Sequence, residues 1–297
     1  MSNRIEQQIF VVTGITGQVG GVVARTLLAA GKSVRAVVRS AEKGAVWAKQ
    51  GCDITIADMG QANALVTAFS GAQAVFVLLP PVFAPAPGFP ESKSVITALK
   101  TALTTARPDR VVALSTIGAQ ATRTNLLTQL QMMEQSLGEL PIPITFLRAA
   151  WFMENAAWDV ESAMKDGIIS SFLQPLDKPI PMVATADIGR VAAELLQQDW
   201  TGRRFIELEG PRRVSPNDIA ATFSAILGRT VHAQIVPRDT WASLFASQGG
   251  GNFEPRIQML DGFNQGWICF EADERQTLKG SVPLESVLRD LVGRRVA

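Results

Sequence analysis

The chain has 297 residues, 47% of them hydrophobic and 19% charged, with a formal net charge of +1. This length suits one large domain or two unequal ones with a full core, and a near-neutral balance without a long basic run argues against nucleic acid as a partner. No uninterrupted apolar run reaches membrane-spanning length, and Cys52 and Cys269 lack the spacing of a disulfide framework or a metal site.

The polar stretch Met1–Gln8 leads straight into the first apolar run and leaves no room for a signal peptide, so a cytoplasmic protein is expected. Ile9 to Val12 are four apolar residues in a row, the pattern of a strand buried on both faces. Gly14, Gly17 and Gly20 follow, and then Val19, Val23, Leu27 and Ala30 recur at helical spacing up to Gly31, a C-cap glycine. The glycines therefore fall in a strand-to-helix turn. Such a turn lets backbone approach a pyrophosphate, and the new helix aims free N–H groups and its positive dipole end at it. The spacing is GxxGxxG rather than the usual GxGxxG, so the strand and helix around it carry the nucleotide reading.

Ser33 to Arg39 alternates as a strand and completes a right-handed parallel strand–helix–strand unit. The end of this strand is where a dinucleotide-binding fold meets the adenosine ribose. A carboxylate there suits the free hydroxyl of NAD, whereas a guanidinium grips the extra phosphate of NADP through charge-assisted bonds. Here the residue is Arg39, with Lys43 one turn into the next helix, and NADP(H) is the cofactor they point to.

Cys52 to Ala57 reads as a third strand ending at Asp58, Gln61 to Phe69 as a helix, and Ala74 to Leu79 as an apolar central strand. Five prolines lie between Pro80 and Pro90, too many for a helix or a central strand. This stretch is a loop over the nicotinamide end, offering Phe83 and Phe89, or else a rigid connector. Glu91–Arg107 and Thr122–Leu137 read as helices, and Arg110–Leu114 and Ile142–Leu147 as strands. The alternation predicts an α/β, Rossmann-type doubly wound parallel sheet over residues 1–157.

Residues 158–297 predict a smaller C-terminal α/β lobe on the substrate side, with 178–210 packing back on the sheet. Val160–Asp166 is a helix and Gly167–Ser171 part of a short hairpin. Asp187 is placed to cap a helix through Leu196. Phe205–Leu208 and Val231–Val236 are strands, and Ser215-Pro-Asn-Asp218 opens a helix with a capping box that runs to Leu227. A short helix around Trp241, a Gly249-Gly-Gly251 loop and a helix over Pro283–Leu291 complete the chain.

Five motifs together resemble the NmrA-like group of atypical short-chain dehydrogenases/reductases: Thr13-Gly-Ile-Thr-Gly-Gln-Val-Gly20, Val37-Val-Arg39, Leu114-Ser-Thr116, Leu147-Arg-Ala-Ala-Trp-Phe-Met-Glu-Asn155 and Ala186-Asp-Ile-Gly189. The group holds NADPH quinone reductases, triphenylmethane-dye reductases and redox-sensing regulators. The resemblance implies that Gly14 and the backbone of Thr16, Gly17, Gln18 and Val19 hold the pyrophosphate, and that Arg39 and Lys43 hold the ribose phosphate. It further implies that Asp58 and Met59 flank the adenine, and that Leu79 and Pro80 run along the ribose and nicotinamide.

The departures from that pattern bear on chemistry. Classical short-chain reductases use a Tyr-x-x-x-Lys pair, and this chain contains no tyrosine. Where many NmrA-like proteins keep a lysine, it has Gln129, Leu130 and Gln131, and the common Arg-Pro-Gly is Arg148-Ala-Ala150. Ser115 and Asn155 are the remaining polar candidates near the expected site. Ser115 either bonds a ligand oxygen or caps local backbone, and Asn155 either reaches a substrate carbonyl or bonds nearby backbone. Phe83, Trp151, Phe152 and Trp158 are candidates for an apolar wall, or simply core. His232, the only histidine, has no partner of suitable spacing. Two functions compete: NADPH-dependent hydride transfer to a small, planar, conjugated acceptor such as a quinone or dye, and a non-catalytic NADP(H) sensor that acts through a protein partner.

Overall fold

In the computed structural model, residues 8–296 are described except 248 and 250. Most of the polar N-terminal stretch and Gly250 of the triple-glycine loop thus lie outside the described residues. The first half alternates as anticipated: β1 (Ile9–Val12), α1 (Gln18–Ala29), β2 (Ser33–Val38), α2 (Ala41–Lys49), β3 (Asp53–Ile56), α3 (Ala62–Phe69), β4 (Ala72–Val77), α4 (Pro90–Ala106), β5 (Arg110–Thr116), α5 (Thr128–Leu137) and β6 (Ile144–Ala149). The second half contains β7 (Trp151–Phe152), α6 (Val160–Lys165), β8 (Ile168–Ser171), β9 (Met182–Val183), α7 (Thr185–Leu196), β10 (Arg203–Glu209), α8 (Pro216–Leu227), β11 (His232–Ile235), α9 (Trp241–Ser247), α10 (Glu254–Gln265), β12 (Leu278–Lys279) and α11 (Leu284–Val296).

Eight strands form one parallel sheet in the order β12-β10-β6-β5-β4-β1-β2-β3. The strand order reverses between β1 and β4, and the crevice at their carboxyl ends is where open α/β sheets bind ligands. Alternation along the strands divides the core. Phe10, Val12 and Phe76 point to the face covered by α1 and α7, whereas Val11, Val75 and Val77 point to the face covered by α3, α4 and α5. Fully buried side chains such as Phe69, Leu99 and Leu103 on the second face each contribute roughly 1.5–3 kcal/mol.

Close contact between α1 and α7 depends on Gly189. A Cβ there would meet the carbonyl oxygen of Val19 at 2.9 Å and run into Val22. Any larger residue pushes α7 off α1 and disturbs the helix that begins at the glycine turn.

Several expectations need correction. The helix read from Thr122 begins only at Thr128, because Asn125 ties the preceding chain into a turn. Its side chain accepts from Leu127 N–H at 2.8 Å and donates to the Arg123 carbonyl at 2.8 Å. Gly167–Ser171 is no hairpin, since β8 pairs in parallel with β11, sixty-odd residues later. Asp187 does not cap its own helix. Its buried carboxylate accepts from Ser281 and Val282 N–H at 2.9 Å each and pairs with Arg190, so it anchors the segment leading into α11. Burial opposes its charge, but those amides and Arg190 outweigh that and hold the carboxyl below its usual range. The α7 N-terminus is served by Glu154, whose carboxylate accepts from Thr185 N–H at 2.9 Å and from its hydroxyl at 2.6 Å.

Candidate functional site

A cavity of about 1060 Å³ runs along the carboxyl edge of the sheet. It crosses the ends of β3, β2, β1, β4, β5 and β6 in turn. With strands ~4.8 Å apart, the span from β2 to β6 is roughly 19 Å.

At β1 the chain turns through Gly14, whose φ of +61° favours glycine and whose missing Cβ leaves room for Leu78. A Cβ on Gly20 would run into the Gly14 carbonyl oxygen, so Gly20 lets α1 start tight against the turn. Gly17 is the N-cap of α1 and no side chain caps the helix, so the first-turn N–H groups of Gln18 and Val19 have no side-chain partner. Gly17 N–H closes the turn on the Gly14 carbonyl at 2.9 Å, and Thr16, Gly17, Gln18 and Val19 all line the cavity. Two of the three glycines thus serve the packing of the turn itself.

Arg39, after β2, and Lys43, in the first turn of α2, are exposed at the cavity and make no ion pair among the described residues. Arg35, two strand positions before Val37, is different: it is held by Asp53 at 2.8 Å and by the carbonyls of Ala68 and Ser70. Asp58 and Met59 line the same end, and Asp58 also accepts from Gly60 N–H at 2.9 Å. Leu79 and Pro80 continue the wall after β4.

The proline-rich loop contributes Phe83 to the rim but not Phe89. Phe89 is buried at the start of α4, with a left-handed backbone, so it belongs to the fold. Gln129 anchors this loop by donating to the Val82 carbonyl at 3.2 Å and accepting from Ser92. A lysine at that place would keep the donor but lose the acceptor that Ser92 needs.

Ser115, Phe152, Asn155 and Trp158 line the other end of the cavity. Ser115 is buried, and its hydroxyl donates to Glu134 at 2.6 Å rather than to a backbone group. Glu134 in turn holds Arg148 through two parallel bonds of 2.9 and 2.8 Å. Arg148 also meets Glu271 at 2.8 Å and Glu207 at 3.5 Å. Burial works against the charge on Arg148, but its carboxylate partners outweigh it and raise its pKa. Ser115 therefore offers a ligand its lone pairs, its proton being engaged. The Asn155 amide makes no hydrogen bond among the described residues and is available to a ligand. His232 is exposed on β11, away from the cavity.

Three side chains at the cavity were not singled out from the sequence. Glu154 braces α7, as described above. The Asp159 carboxyl has no hydrogen-bond partner among the described residues, and burial pushes it up to about 7. Arg256, on α10, lies beside Phe83, Trp158 and Phe245. A signal for α10 exists: Ile257, Leu260 and Phe263 repeat at helical spacing, Pro255 lies in the first turn and Gly266 follows the end. Among the described residues no His, Cys, Asp and Glu cluster could hold a metal ion, and no helix is long and apolar enough to cross a membrane.

Residues 6–268 match the family model described as the NmrA-like family. The chain belongs to that family. Among its curated relatives, the NAD(P)H azoreductase of Xenophilus azovorans is 28% identical over 225 residues, which is 75% of each chain. Quinone oxidoreductase 2 of Escherichia coli is 25% identical over 240 residues, 80% of this NmrA-like chain and 81% of the relative. Among solved structures, the triphenylmethane reductase of Citrobacter sp. complexed with NADP(H) has a TM-score of 0.78 at 21% identity, covering 96% of this chain and 99% of that one. At that identity the likeness establishes the fold. The shared fold runs over nearly the whole length of both chains.

Proposed function

We propose that this protein is an NADPH-dependent oxidoreductase that passes hydride to a planar, conjugated acceptor such as a quinone or a dye. One observation carries the reading: a single cavity joins two unpaired cations, Arg39 and Lys43, through an uncapped helix start, to an apolar end rimmed by Phe83, Phe152 and Trp158. That sequence of surfaces fits a dinucleotide phosphate at one end and a flat ring at the other. The named activities of the azoreductase and quinone oxidoreductase relatives support the same reading.

In this reading the bound cofactor supplies the hydride. The amides from Thr16 to Val19 hold its pyrophosphate, and Arg39 and Lys43 hold the ribose phosphate. Asp58 and Met59 flank the adenine, and Leu79 and Pro80 lie along the ribose and nicotinamide. Phe83, Phe152 and Trp158 exclude water and orient the acceptor, while Asn155 donates to an acceptor oxygen. Ser115 positions through Glu134.

The absence of tyrosine suits this class of acceptor. Hydride addition to an aliphatic ketone leaves a strongly basic alkoxide, and a positioned acid then contributes about 10²–10⁴ in rate. Addition to a quinone leaves a delocalised, weakly basic anion, so neutral donors suffice. The test is NADPH oxidation with a panel of quinones, dyes and unconjugated ketones. Turnover is expected with the conjugated acceptors and none above background with the ketones, and Ser115→Ala should lower the quinone rate only modestly. Silence across the panel, together with different affinities for NADPH and NADP⁺, would overturn the enzyme reading in favour of a sensor.

A further inference from the structure

Of the arginines that are at least partly buried among the described residues, Arg256 alone makes neither an ion pair nor a hydrogen bond. Arg35, Arg110, Arg148, Arg190 and Arg213 each meet a carboxylate, and Arg204 donates to Thr145 and Gln198. The guanidinium carbon of Arg256 lies 4.3 Å from the ring centre of Phe245, 5.8 Å from Trp158 and 5.9 Å from Phe83. Rings stabilise a cation through their quadrupoles, but they leave its N–H donors unsatisfied. Burial lowers its pKa with no carboxylate opposing that shift. An unpaired, partly desolvated cation is costly to the folded chain unless something else completes it.

The two rings on its cavity side add a second observation. Trp158 is 65% exposed and Phe83 48% exposed, and they meet edge to face at 6.3 Å. Large exposed aromatics at a cavity mouth form an apolar surface that a ligand can cover. Carboxylates that line the cavity do not fill the role of partner. Glu154 is committed to Thr185, and Asp159 makes no ion pair with Arg256. Arg39 and Lys43 lie at the β2 end of the cavity, several strands away.

We propose that Arg256, with Phe83 and Trp158, is a specificity site for an anionic substituent, a carboxylate or sulfonate, on the planar acceptor. The ring system lies against the exposed aromatic pair and the anion accepts from the guanidinium, whose fork can give two parallel bonds. The proposal rests on the reductase reading for its substrate, and it favours anionic acceptors over cationic dyes.

The test compares naphthoquinone, naphthoquinone sulfonate and naphthoquinone carboxylate as acceptors at saturating NADPH, with the wild type, Arg256→Lys and Arg256→Met. A charge-assisted pair predicts that the wild type prefers the anionic acceptors in kcat/KM by about 10- to 100-fold. Arg256→Met should bring the anionic-to-neutral ratio close to one, and Arg256→Lys should keep part of it. A stronger preference for the planar carboxylate marks two-pronged binding, and a preference for both anions equally marks charge alone; either supports the site. A wild-type ratio near one, or an Arg256→Met variant that slows all three acceptors in proportion, would overturn it. So would a parallel loss of NADPH affinity, which would place Arg256 at the cofactor. Titration of the sulfonate by tryptophan quenching, in the presence of NADP⁺, separates the two readings if no acceptor is turned over. Tenfold weaker binding in Arg256→Met then upholds the anion site while the reductase reading fails, and unchanged binding sinks the site.

Discussion

Arg148 and Arg256 have the same side chain and each lies 4.3 Å from a phenylalanine ring, Phe205 in one case and Phe245 in the other. Their polar surroundings differ completely. Arg148 is buried in the sheet against Glu134, Glu207 and Glu271, and the amides of Glu271 and Ala272 complete Glu207 at 2.9 Å each. Arg256 sits at the cavity with rings on several sides and no acceptor among the described residues. A guanidinium with most of its donors met by its own chain holds structure, and one left unmet beside a cavity is ready for a ligand. Arg39 and Lys43 belong with Arg256 on this criterion, and Arg35 with Arg148.

The most severe way to break the comparison is to make the same substitution at both arginines. Arg148→Met keeps bulk but leaves Glu134 and Glu207 buried without their cation, so it should cost about 3–5 kcal/mol in urea unfolding. A loss below ~1 kcal/mol would show that water relieves the carboxylates. The next effect lies at the cofactor end. Arg39→Ala should weaken NADPH binding about ten- to hundredfold, the value of one charge-assisted bond or two, and leave NADH binding little changed. Equal losses for both in calorimetry would remove the phosphate assignment.

Asp159 sharpens the contrast, because it is an acid without a partner in the same cavity. Its carboxyl titrates at about 7 in the fold and near 3.9 in an unfolded chain. Between those values the folded protein holds a proton that the unfolded chain has released, so this residue lowers stability as pH rises through that window. The full cost is reached above about pH 7. Asp159→Asn should therefore stabilise the protein by about 1–3 kcal/mol at alkaline pH, with a smaller gain at pH ~5. Melting curves showing an equal gain at both would mean that the carboxyl is not desolvated. The smallest effect is expected from Arg256→Met, which removes a cation that no acceptor completes. Its unfolding free energy should stay within ~1 kcal/mol of the wild type, against the large loss at Arg148.

Local pattern settled much of this molecule. Ile9–Val12, the glycines at 14, 17 and 20, and the period from Val19 onward determine a strand, a turn and a helix, because glycine conformation and apolar spacing act within a few residues. The ends of β2 and β3, and with them Arg39, Lys43, Asp58 and Met59, follow from the alternation of strands and helices, which carries each loop to the same edge of a parallel sheet. The capping box at Ser215 was legible for the same local reason.

Partnerships between distant residues were not legible. Asp187 looked like a cap and is an anchor for Ser281 and Val282, ninety-odd residues away. Ser115 gives no sign in the sequence that its hydroxyl proton goes to Glu134, which leaves only its lone pairs for a ligand. Arg256 carries no mark in the sequence, since a single arginine on a helix is ordinarily a solvated charge. Only the packing of α10 against the cavity brings it beside Phe83 and Trp158 with no ion pair to a carboxylate among the described residues. Spacing determines which residues share a face; which charges meet, and which are left unmet, is decided when elements far apart in sequence pack together.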